Sequence, residues 1–539
     1  MKHLKCGLTW GEKDLRTVKS PEELPEQFNM AVALLDRHVA EGRESQTALL
    51  GPAGALTYGH LYRLTNQVGH ALRALGLQRE QRVLLLLRDS PEFIACFLAA
   101  MKLGAVPVPL NTFAHPSDYE FYLRHSRATI LVGEAEFLTP LESVLHRFPA
   151  CTVVGVRGKG IDRAYGFQEI ISSQPAELDA TLTHKNEPSH WVYTSGSTGE
   201  SKAAVHLHRD NIFCLEPYAR HVIGMTRQDI CFSVARLFFS YGLTNSFFMP
   251  LWVGGAALLL PDRPEPGLVL AAMEQYHPTI FFSVPTAYNK MLRENVDPKK
   301  LSSLRLCVSA GEALPAPIYR EWLQKTGLQI LDGVGSTEFG YIFLTNRPEQ
   351  VKPGSSGKML PEHKARLVNE AGNEADGEEL GELWVSSPSI ASFYWRNQEV
   401  SKRTFVGEWL HTGDQYSRDA DGWYTYHGRT DDLFKSGGIW VSPIQVESTL
   451  LEHPDVAEVS VVPERDPGGL EKPIAYVVLK TGSQGGAPME QELRQFAKQH
   501  LAPYKCPKSF YFVPDLPKTA TGKIQRFKLR LKATSGKKP

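Results

Sequence analysis

The chain alternates short apolar runs with longer amphipathic segments. The runs are RVLLLL at 82–87, TILVG at 129–133, TIFFSVP at 279–285, LRLCVSAGEAL at 304–314 and LQILDGVGSTE at 328–338. Short apolar runs that are flanked by Gly or Pro and separated by helix-length spacers are typical of strands buried in a largely parallel sheet. The pattern therefore predicts the α/β class.

Small and polar residues stand at the carboxyl ends of several predicted strands. The stretches are VYTSGSTG at 192–199, CVSAGEA at 307–313 and LDGVGSTE at 331–338. In open α/β sheets, ligands bind in crevices beyond the carboxyl ends of the strands. These stretches therefore predict one ligand site at that edge.

The pattern changes after about residue 430, where GRTDDLFKSGGIWVSP places charges and glycines between two more regular regions. Beyond it, VAEVSVVPE and IAYVVLK predict strands. A helix follows in which Leu493, Phe496, Ala497 and Leu501 share one face. The segment predicts a small α+β domain of about a hundred residues, preceded by a hinge.

Length and composition limit the class of protein. A chain of 539 residues with 42% hydrophobic and 22% charged residues is typical of an ordinary protein with two or more domains. Lysine plus arginine equal aspartate plus glutamate at 59 each, so no net charge favours nucleic acid or an anionic membrane. Seven scattered cysteines without a CxxC pair, and no apolar run of signal-peptide or membrane-span type, predict a cytoplasmic protein without membrane attachment.

The stretch YTSGSTGESK at 193–202 has the composition of a loop that folds around phosphate, although a plain surface turn has the same composition. The P-loop pattern requires a glycine directly before the lysine and a hydroxyl after it. Here Ser201 precedes Lys202 and Ala203 follows, so the stretch is not a P-loop, and GxGxxG is not met either. His206 and His208 form an HxH pair, but spacing places no third metal ligand, which favours a structural role.

Five motifs in order carry a family resemblance. They are YTSGSTGESK at 193–202, GVGSTE at 333–338, HTGD at 411–414, GRTDD at 428–432 and PKTATGKIQR at 517–526. Together they resemble the signature motifs of the adenylate-forming superfamily of acyl-CoA synthetases, adenylation domains and luciferases, over roughly residues 30–530. The resemblance implies a large multi-sheet amino-terminal domain, 1–430, that binds ATP and the acid. It also implies a small mobile α+β domain, 431–539, that carries the catalytic lysine and rotates between two half-reactions.

Within this superfamily, the chain is most similar to benzoate-type aryl-CoA ligases. The similarity lies in RLFFSYGLTNSFFMPLWVGG, SAGEALP, DGVGSTE, YTYHGRTDDLFKSGGIWVSP and LPKTATGKIQRFKLR. It implies an enzyme that joins an aryl carboxylate, benzoate or anthranilate, to the α-phosphate of ATP with release of pyrophosphate. The acyl group then passes to coenzyme A, and Mg²⁺ is the implied metal. An acyltransferase acting downstream is a further implied partner.

The resemblance also implies individual roles. Lys523 bridges the substrate carboxylate and the α-phosphate, although alone it would be a solvated lysine in a basic tail. Thr337 donates to the α-phosphate and Glu338 binds Mg²⁺, a cation that prefers hard oxygen ligands. Asp414 accepts both ribose hydroxyls, since one carboxylate has two acceptor oxygens. Arg429 contacts ribose or phosphate.

Larger groups of residues share the remaining roles. The residues implied to wrap the β- and γ-phosphates are Thr194, Ser195, Gly196, Ser197, Thr198, Gly199 and Lys202. Those implied to lie against adenine are Gly311, Glu312, Ala313, Asp332 and Gly333, with Asp332 as a partner for the exocyclic amine. Those implied at the hinge and beside the pantetheine arm of coenzyme A are Asp431, Ser436, Gly437 and Gly438. Val334 departs from relatives that carry an aromatic residue there, so base stacking is expected to be weaker.

An aryl pocket is implied by residues that match benzoate-type relatives. They are Phe239, Ser240, Tyr241, Ala310, Gly335 and Tyr341. Aromatic walls and small residues suit a flat ring. Where several relatives have alanine and histidine, this chain has Ser240 and Tyr341, and the two hydroxyls are consistent with a polar ring substituent, as in anthranilate (2-aminobenzoate).

Other functions stay open at this level. An enzyme that loads an aryl acid onto a carrier protein shares every motif, whereas an α-amino-acid adenylating module needs an acid for the ammonium group that RLFFSYG lacks. A luciferase-type oxygenase shares the adenylation motifs but not the benzoate-like pocket. The basic tail KIQRFKLRLKATSGKKP is more typical of a solvated chain end than of a nucleic-acid site, so no nucleic-acid partner is expected.

Overall fold

The structure, a computed structural model, describes residues 14–195, 201–294, 296–436, 439–465, 471–518 and 524–534. The strands in these ranges are β1 Thr47–Leu50, β2 Leu56–Thr57, β3 Arg82–Leu86, β4 Val106–Pro109, β5 Ile130–Glu134, β6 Thr152–Val156, β7 Tyr165–Gly166, β8 Pro188–Ser195, β9 Ser201–Leu207, β10 Ile230–Ser233, β11 Ala256–Leu258, β12 Ile280–Ser283, β13 Leu306–Ser309, β14 Ile330–Gly335, β15 Ile342–Thr345, β16 Lys358–Met359, β17 Lys364–Val368, β18 Gly381–Ser386, β19 Phe393–Tyr394, β20 Phe405–Val406, β21 Trp409–Arg418, β22 Tyr424–Arg429, β23 Phe434–Ser436, β24 Ile439–Val441, β25 Val456–Arg465, β26 Glu471–Leu479 and β27 Phe510–Phe512.

The α-helices in the same ranges are α1 Arg37–Ala40, α2 Tyr58–Ala74, α3 Pro91–Lys102, α4 Pro116–Ser126, α5 Ala135–Leu138, α6 Glu142–Leu145, α7 Phe167–Ile171, α8 Ile212–Glu216, α9 Ser240–Leu243, α10 Met249–Val253, α11 Pro266–Tyr276, α12 Pro285–Arg293, α13 Ala316–Thr326, α14 Gln398–Thr404, α15 Pro443–Leu450, α16 Ala487–His500 and α17 Arg526–Thr534. Short 3-10 turns cover Leu15–Thr17, Pro21–Glu23, Thr139–Leu141, Pro298–Leu301 and Pro503–Lys505, and π-helical segments cover Val32–Asp36, Pro217–Val222 and Thr244–Phe248.

Two sheets contain all five predicted buried strands. The nine-stranded sheet has the order β16-β15-β14-β13-β12-β10-β11-β1-β2, and the strands from β14 to β1 in this order are parallel. The five-stranded sheet β4-β3-β5-β6-β7 is parallel throughout. The α/β prediction from the apolar runs is therefore confirmed.

Smaller sheets complete the fold. Strands β19, β9 and β8 form an antiparallel sheet, and β17, β18, β21 and β20 form another in which β22 pairs with β21. In the carboxy-terminal part, β23 and β24 form a hairpin, whereas β25, β26 and β27 form a sheet. The two strands predicted there correspond to β25 and β26, and α16 buries Leu493 and Ala497 as its pattern predicted. The predicted domain boundary at 430/431 and the mobility of the small domain stay predictions.

Local chemistry sets where the helices begin. Helix α2 begins after Thr57, whose side chain accepts a hydrogen bond from the backbone N–H of His60. Helix α3 begins after Ser90, which caps the N–H of Phe93, and its first residue is Pro91. A hydroxyl at the N-cap satisfies a backbone donor that has no partner inside the helix, and proline suits the first turn because it has no such donor.

The core is rich in aromatic side chains between the two large sheets. Phe97 on α3 is fully buried, and its ring lies 5.3 Å from that of Phe247, 5.6 Å from that of Phe248 and 5.7 Å from that of His190. Phe247 and Phe248 are likewise buried and belong to this aromatic core. None of the helices in the described residues combines the length and apolar character that crossing a membrane requires.

We expect Phe97→Ala to lower the free energy of unfolding by about 3–5 kcal/mol, because the truncation leaves a cavity among aromatic rings that cannot collapse. Tyr165→Ala, at a side chain that is 50% exposed, is the matched control and should stay within about 0.5 kcal/mol of the parent. Urea denaturation followed by tryptophan fluorescence measures both. Equal midpoints for the two variants would contradict this account of the core.

Candidate active site

A cavity of about 1010 Å³ opens at the carboxyl ends of β13 and β14. Its walls come from the segments after these strands, from β21 and β22, and from the carboxy-terminal part of the chain. The sequence-predicted residues that line it are Thr194, Lys202, Gly311, Glu312, Ala313, Gly333, Gly335, Thr337, Glu338, Asp414, Arg429 and Asp431. The structure thus brings predicted residues of four of the five motifs, together with Gly311, Glu312 and Ala313, to one place.

Other predicted residues lie elsewhere or outside the described ranges. Asp332, Ser436, Phe239, Ser240, Tyr241, Ala310 and Tyr341 do not line this cavity in the part of the chain that the structure describes. Only the backbone of Ser195 is described. Gly196, Ser197, Thr198, Gly199, Gly437, Gly438 and Lys523 lie outside the described residues.

The hairpin of β8 and β9 carries the residues predicted to bind phosphate. Thr194 pairs with Lys202 across this antiparallel pair, so both stand at the end of the hairpin that meets the cavity. The Lys202 ammonium lies 5.0 Å from the centre of the Tyr394 ring. Burial, together with the nearby cations Arg429 and Arg403, lowers the pKa of Lys202, while Glu338 opposes this shift. A bound polyanion would stabilise these positive charges.

A tight turn after β14 presents Thr337 and Glu338. The N–H of Gly340 donates to the carbonyl oxygen of Ser336 at 3.1 Å, and the N–H of Phe339 donates to the Ser336 hydroxyl, also at 3.1 Å. The Glu338 carboxylate accepts a hydrogen bond from the Tyr394 hydroxyl at 2.6 Å. The turn therefore fixes the backbone, and a residue distant in sequence contacts the carboxylate.

Asp414 and Arg429 face each other on β21 and β22. They are paired in register, and the Arg429 guanidinium lies 3.1 Å from an Asp414 carboxylate oxygen. The same guanidinium nitrogen donates to the carbonyl oxygen of Thr412 at 2.9 Å. Gly413, which stands between Thr412 and Asp414, has a φ of 70°, and a Cβ there would lie 2.9 Å from the Arg429 guanidinium. This position therefore favours glycine. The ion pair places Arg429 beside the carboxylate predicted to bind ribose.

The carboxy-terminal part contacts the cavity through Ile524, the residue after Lys523. Its backbone N–H donates to the Glu312 carboxylate at 3.2 Å. The carbonyl oxygen of Asp431 and the carboxylate of Asp432 accept hydrogen bonds from Arg530 on α17, at 2.6 and 2.7 Å. The segment after Lys523 is thereby tied to the cavity, and the predicted hinge is tied to α17.

The predicted adenine wall has a buried acid next to it. Asp332 is 5% exposed, and its carboxylate accepts a hydrogen bond from the N–H of Leu314 at 3.2 Å. Burial raises the pKa of Asp332 to about 8. The Asp332 carboxyl therefore holds its proton to a higher pH than an exposed aspartate does.

Among the residues predicted for the aryl pocket, Ser240, Tyr241, Gly335 and Tyr341 lie close together. The rings of Tyr241 and Tyr341 stack with centres 6.1 Å apart. A Cβ at Gly335 would lie 2.2 Å from the carbonyl oxygen of Tyr341, so only glycine fits there. The Ser240 hydroxyl donates to the carbonyl oxygen of Gly340 at 2.9 Å, and the buried Tyr341 hydroxyl donates to the Asn245 side chain at 2.5 Å. Both hydroxyl hydrogens are thus donated within the protein.

The comparison with known families agrees with this geometry. A family model described as AMP-binding enzyme matches residues 36–395, and one described as AMP-binding enzyme C-terminal domain matches residues 445–523. The chain belongs to the AMP-binding enzyme family. The superfamily resemblance inferred from the five motifs is therefore confirmed.

Individual relatives resemble this AMP-binding enzyme over nearly its whole length. A benzoate–CoA ligase of Thauera aromatica is 43% identical over 513 residues, which are 94% of this chain and 97% of that protein. The crystal structure of the anthranilate CoA ligase AuaEII in complex with anthranoyl-AMP superimposes with a TM-score of 0.92 at 39% identity, covering 96% of this chain and 99% of that one. A benzoate CoA ligase from Burkholderia xenovorans LB400 gives a TM-score of 0.87 at 38% identity, covering 93% and 100%.

Several residues at the site of this AMP-binding enzyme were not predicted from the sequence. Tyr394 and Arg403 line the cavity although FYWRNQEVSKRT has no composition or spacing that singles them out. The buried pair of Glu447 with Arg526, whose atoms approach to 2.6 Å, was also missed. A charged residue inside a helix pattern normally indicates a solvated face, so no sequence signal identifies this pair.

His206 and His208 both make hydrogen bonds to the backbone of other segments, in line with the structural role that the sequence favoured. The Nε2–H of His206 donates to the carbonyl oxygen of Thr337 at 2.8 Å, and His208 accepts a hydrogen bond from the N–H of Met30. Burial lowers the pKa of His208 to about 3, so the ring is neutral. Neither histidine belongs to the group of three potential metal ligands found among the described residues, namely His453, Asp455 and Glu492.

We expect the thermal stability of the ligand-free enzyme to fall between pH 5 and pH 8.5 more steeply than that of Asp332→Asn. The folded-state pKa of about 8 is above the ordinary value of 3.8, so the folded state binds the extra proton. The contribution of this proton to the free energy of unfolding is fully present below pH 4 and is lost as the pH rises through 8. Thermal melts across this range measure the slope, and an unchanged slope in Asp332→Asn would contradict the assignment.

Proposed function

We propose that this protein is an AMP-forming aryl-CoA ligase that activates a benzoate-type acid with ATP and transfers the acyl group to coenzyme A. The observation that carries the proposal is the single cavity that gathers Lys202, Glu338, Asp414 and Arg429 from four distant motifs. The identity to benzoate and anthranilate CoA ligases over more than nine-tenths of the chain supports the same reaction. Loading of a carrier protein, the alternative drawn from the sequence, has no support among these relatives.

Charge neutralisation is the main task of the first step, because a carboxylate must attack the α-phosphate of a polyanion. We assign Lys202 and Arg403 to the phosphates of ATP and pyrophosphate, since both line the cavity on the side of the phosphate-binding hairpin. Thr337 is assigned to the α-phosphate and Asp414, oriented by Arg429, to the ribose. These groups bind ATP and position its α-phosphate, so that the carboxylate of the acid can be held close to it.

Glu338 is the residue we assign to Mg²⁺. Its carboxylate lines the cavity beside Lys202 and Thr337, and a carboxylate oxygen is the kind of ligand that Mg²⁺ prefers. The residues present therefore fit this cation. When bound, Mg²⁺ neutralises phosphate oxygens and helps pyrophosphate to leave.

Lys523 is assigned to the substrate carboxylate and the α-phosphate. The lysine lies outside the described residues, but its neighbour Ile524 donates its N–H to Glu312 at the cavity wall. This contact supports an arrangement suited to adenylation. Transfer to coenzyme A is proposed to follow a rotation about Asp431 that brings Ser436, Gly437 and Gly438 to the pantetheine arm. The cytoplasmic location and an acyltransferase acting downstream stay predictions.

The aryl ring is assigned to the pocket of Phe239, Ser240, Tyr241, Ala310, Gly335 and Tyr341. The Tyr341 hydroxyl is buried and donated to Asn245, so we remove it from the groups proposed to meet a ring substituent. The Ser240 oxygen is partly buried and keeps lone pairs that can accept a hydrogen bond from an amino group. Benzoate and anthranilate are the proposed acids, with Ser240 as the residue that favours the second.

The first test measures pyrophosphate release with ATP and Mg²⁺ across benzoate, anthranilate, hydroxybenzoates, fatty acids and amino acids, each with and without coenzyme A. We expect coenzyme A-dependent turnover on one or two aryl acids. Lys523→Ala should lower the adenylation rate about a hundredfold or more, because it removes an electrostatic contact to the reacting groups. The neighbouring Lys528→Ala is the control. Pyrophosphate release that is independent of an aryl acid would overturn the proposal.

A second test concerns the ring substituent. We expect Ser240→Ala to lower the preference for anthranilate over benzoate about fivefold, the effect of losing one neutral hydrogen bond. Tyr341→Phe should leave the ratio of the two kcat/KM values as it is, because its hydroxyl serves Asn245. The ratio is insensitive to a general loss of stability. A shift in the Tyr341→Phe ratio without one in Ser240→Ala would reverse the assignment of the two hydroxyls.

A further inference from the structure

Tyr394 makes a contact that the proposed mechanism does not use. Its hydroxyl lies 2.6 Å from the Glu338 carboxylate, and the side chain is only 3% exposed. A carboxylate can only accept here, so the tyrosine must donate. Tyr394 is thus a donor to the carboxylate assigned to the cation.

Tyr394 belongs to the same small sheet as the phosphate-binding hairpin. Strand β19 pairs with β9, with Tyr394 opposite Ala204, and β9 also carries Lys202. The backbone N–H of Tyr394 donates to the Ser401 hydroxyl at 2.9 Å, and its ring packs 5.2 Å from that of Phe405. A side chain held by its strand, its ring and its backbone keeps one rotamer. Its hydroxyl therefore has a fixed position relative to Lys202.

The same sheet also fixes the backbone that carries Glu338. The N–H of Ala391, shortly before β19, donates to the carbonyl oxygen of Glu338 at 2.7 Å. The Nε2–H of His206 on β9 donates to the carbonyl oxygen of Thr337 at 2.8 Å. With both carbonyl groups anchored, the rotation of the Glu338 side chain is the freedom that remains, and the Tyr394 hydroxyl restrains it.

We propose that Tyr394 is a positioning residue that holds the Glu338 carboxylate at a fixed distance from Lys202, so that the phosphate-binding hairpin and the cation ligand act as one unit. The proposal rests on the assignment of Glu338 to the cation. Partners of metal ligands orient the ligand and raise metal affinity, and losing one typically weakens binding by about 10–100-fold. Glu338 would then hold the cation, and Lys202 would contact the phosphates, from positions that are fixed relative to each other.

The test uses Tyr394→Phe, which removes the hydroxyl but keeps the ring beneath Lys202. Its matched control is Tyr58→Phe, because the Tyr58 hydroxyl is also buried and donates to the carbonyl oxygen of Gly255 at 2.7 Å, away from the cavity. Mn²⁺ replaces Mg²⁺ so that electron paramagnetic resonance reports binding to the full-length enzyme with ATP and without acid. We expect Tyr394→Phe to weaken Mn²⁺ binding about tenfold. ATP binding in EDTA and the Mn²⁺ affinity of Tyr58→Phe should match the parent.

Two further variants separate this inference from its premise. Glu338→Ala should weaken Mn²⁺ binding at least as strongly, and adding Tyr394→Phe to it should have no further effect. If Glu338→Ala weakens binding while Tyr394→Phe does not, the positioning role is overturned and the assignment of Glu338 stands. If Glu338→Ala binds Mn²⁺ like the parent, both are overturned. A double variant that is tenfold weaker than Glu338→Ala would show that Tyr394 acts by another route, which also overturns the positioning role.

Discussion

The parallel alignment of β12, β13 and β14 is the constraint on which the site depends. Because these strands run in the same direction, the segments that follow them all emerge at one edge of the sheet. The segment after β13 supplies Gly311 and Glu312, and the end of β14 leads into the turn of Thr337 and Glu338. These four residues follow the ends of strands, so no helix or strand of the core is interrupted where they stand. The sheet therefore fixes the wall of the cavity that is predicted to contact the nucleotide, and the other lining residues come from separate parts of the chain.

Electrostatics explains why those groups come from so many parts of the chain. Burial and the neighbouring cations Arg429 and Arg403 lower the pKa of Lys202, whereas Arg429 itself is paired with Asp414. Cations gathered around an empty cavity repel each other, and ligand anions relieve this repulsion. The placement of each cation on a separate, well-anchored strand or helix keeps the cluster from relaxing. Tyr394 restrains Glu338, the acid that lies among these cations, through its hydrogen bond.

The contacts of the carboxy-terminal part show how a small domain can act on a site that the large domain builds. Arg526 and Glu447 form a buried ion pair, and Arg530 binds the Asp431–Asp432 segment. Breaking one partner of a buried pair leaves a charge without compensation, so such pairs hold α17 and α15 together as a unit. Ile524 then reaches Glu312 from this unit. This contact links the carboxy-terminal unit to the wall of the cavity.

The sequence by itself determined the α/β class, the five buried strands, the amphipathic face of α16 and the order of the motifs. Apolar periodicity and polar residues at strand ends are local signals, because they follow from the geometry of single strands and helices. The tertiary structure alone decided which distant side chains meet. Tyr394 and Glu338 are 56 residues apart, Tyr341 and Asn245 are 96, and Ile524 and Glu312 are 212. No periodic pattern reports such pairs, since they depend on how sheets and loops pack. For that reason a hydroxyl that matched a substrate contact in the sequence, that of Tyr341, serves Asn245 in the folded protein.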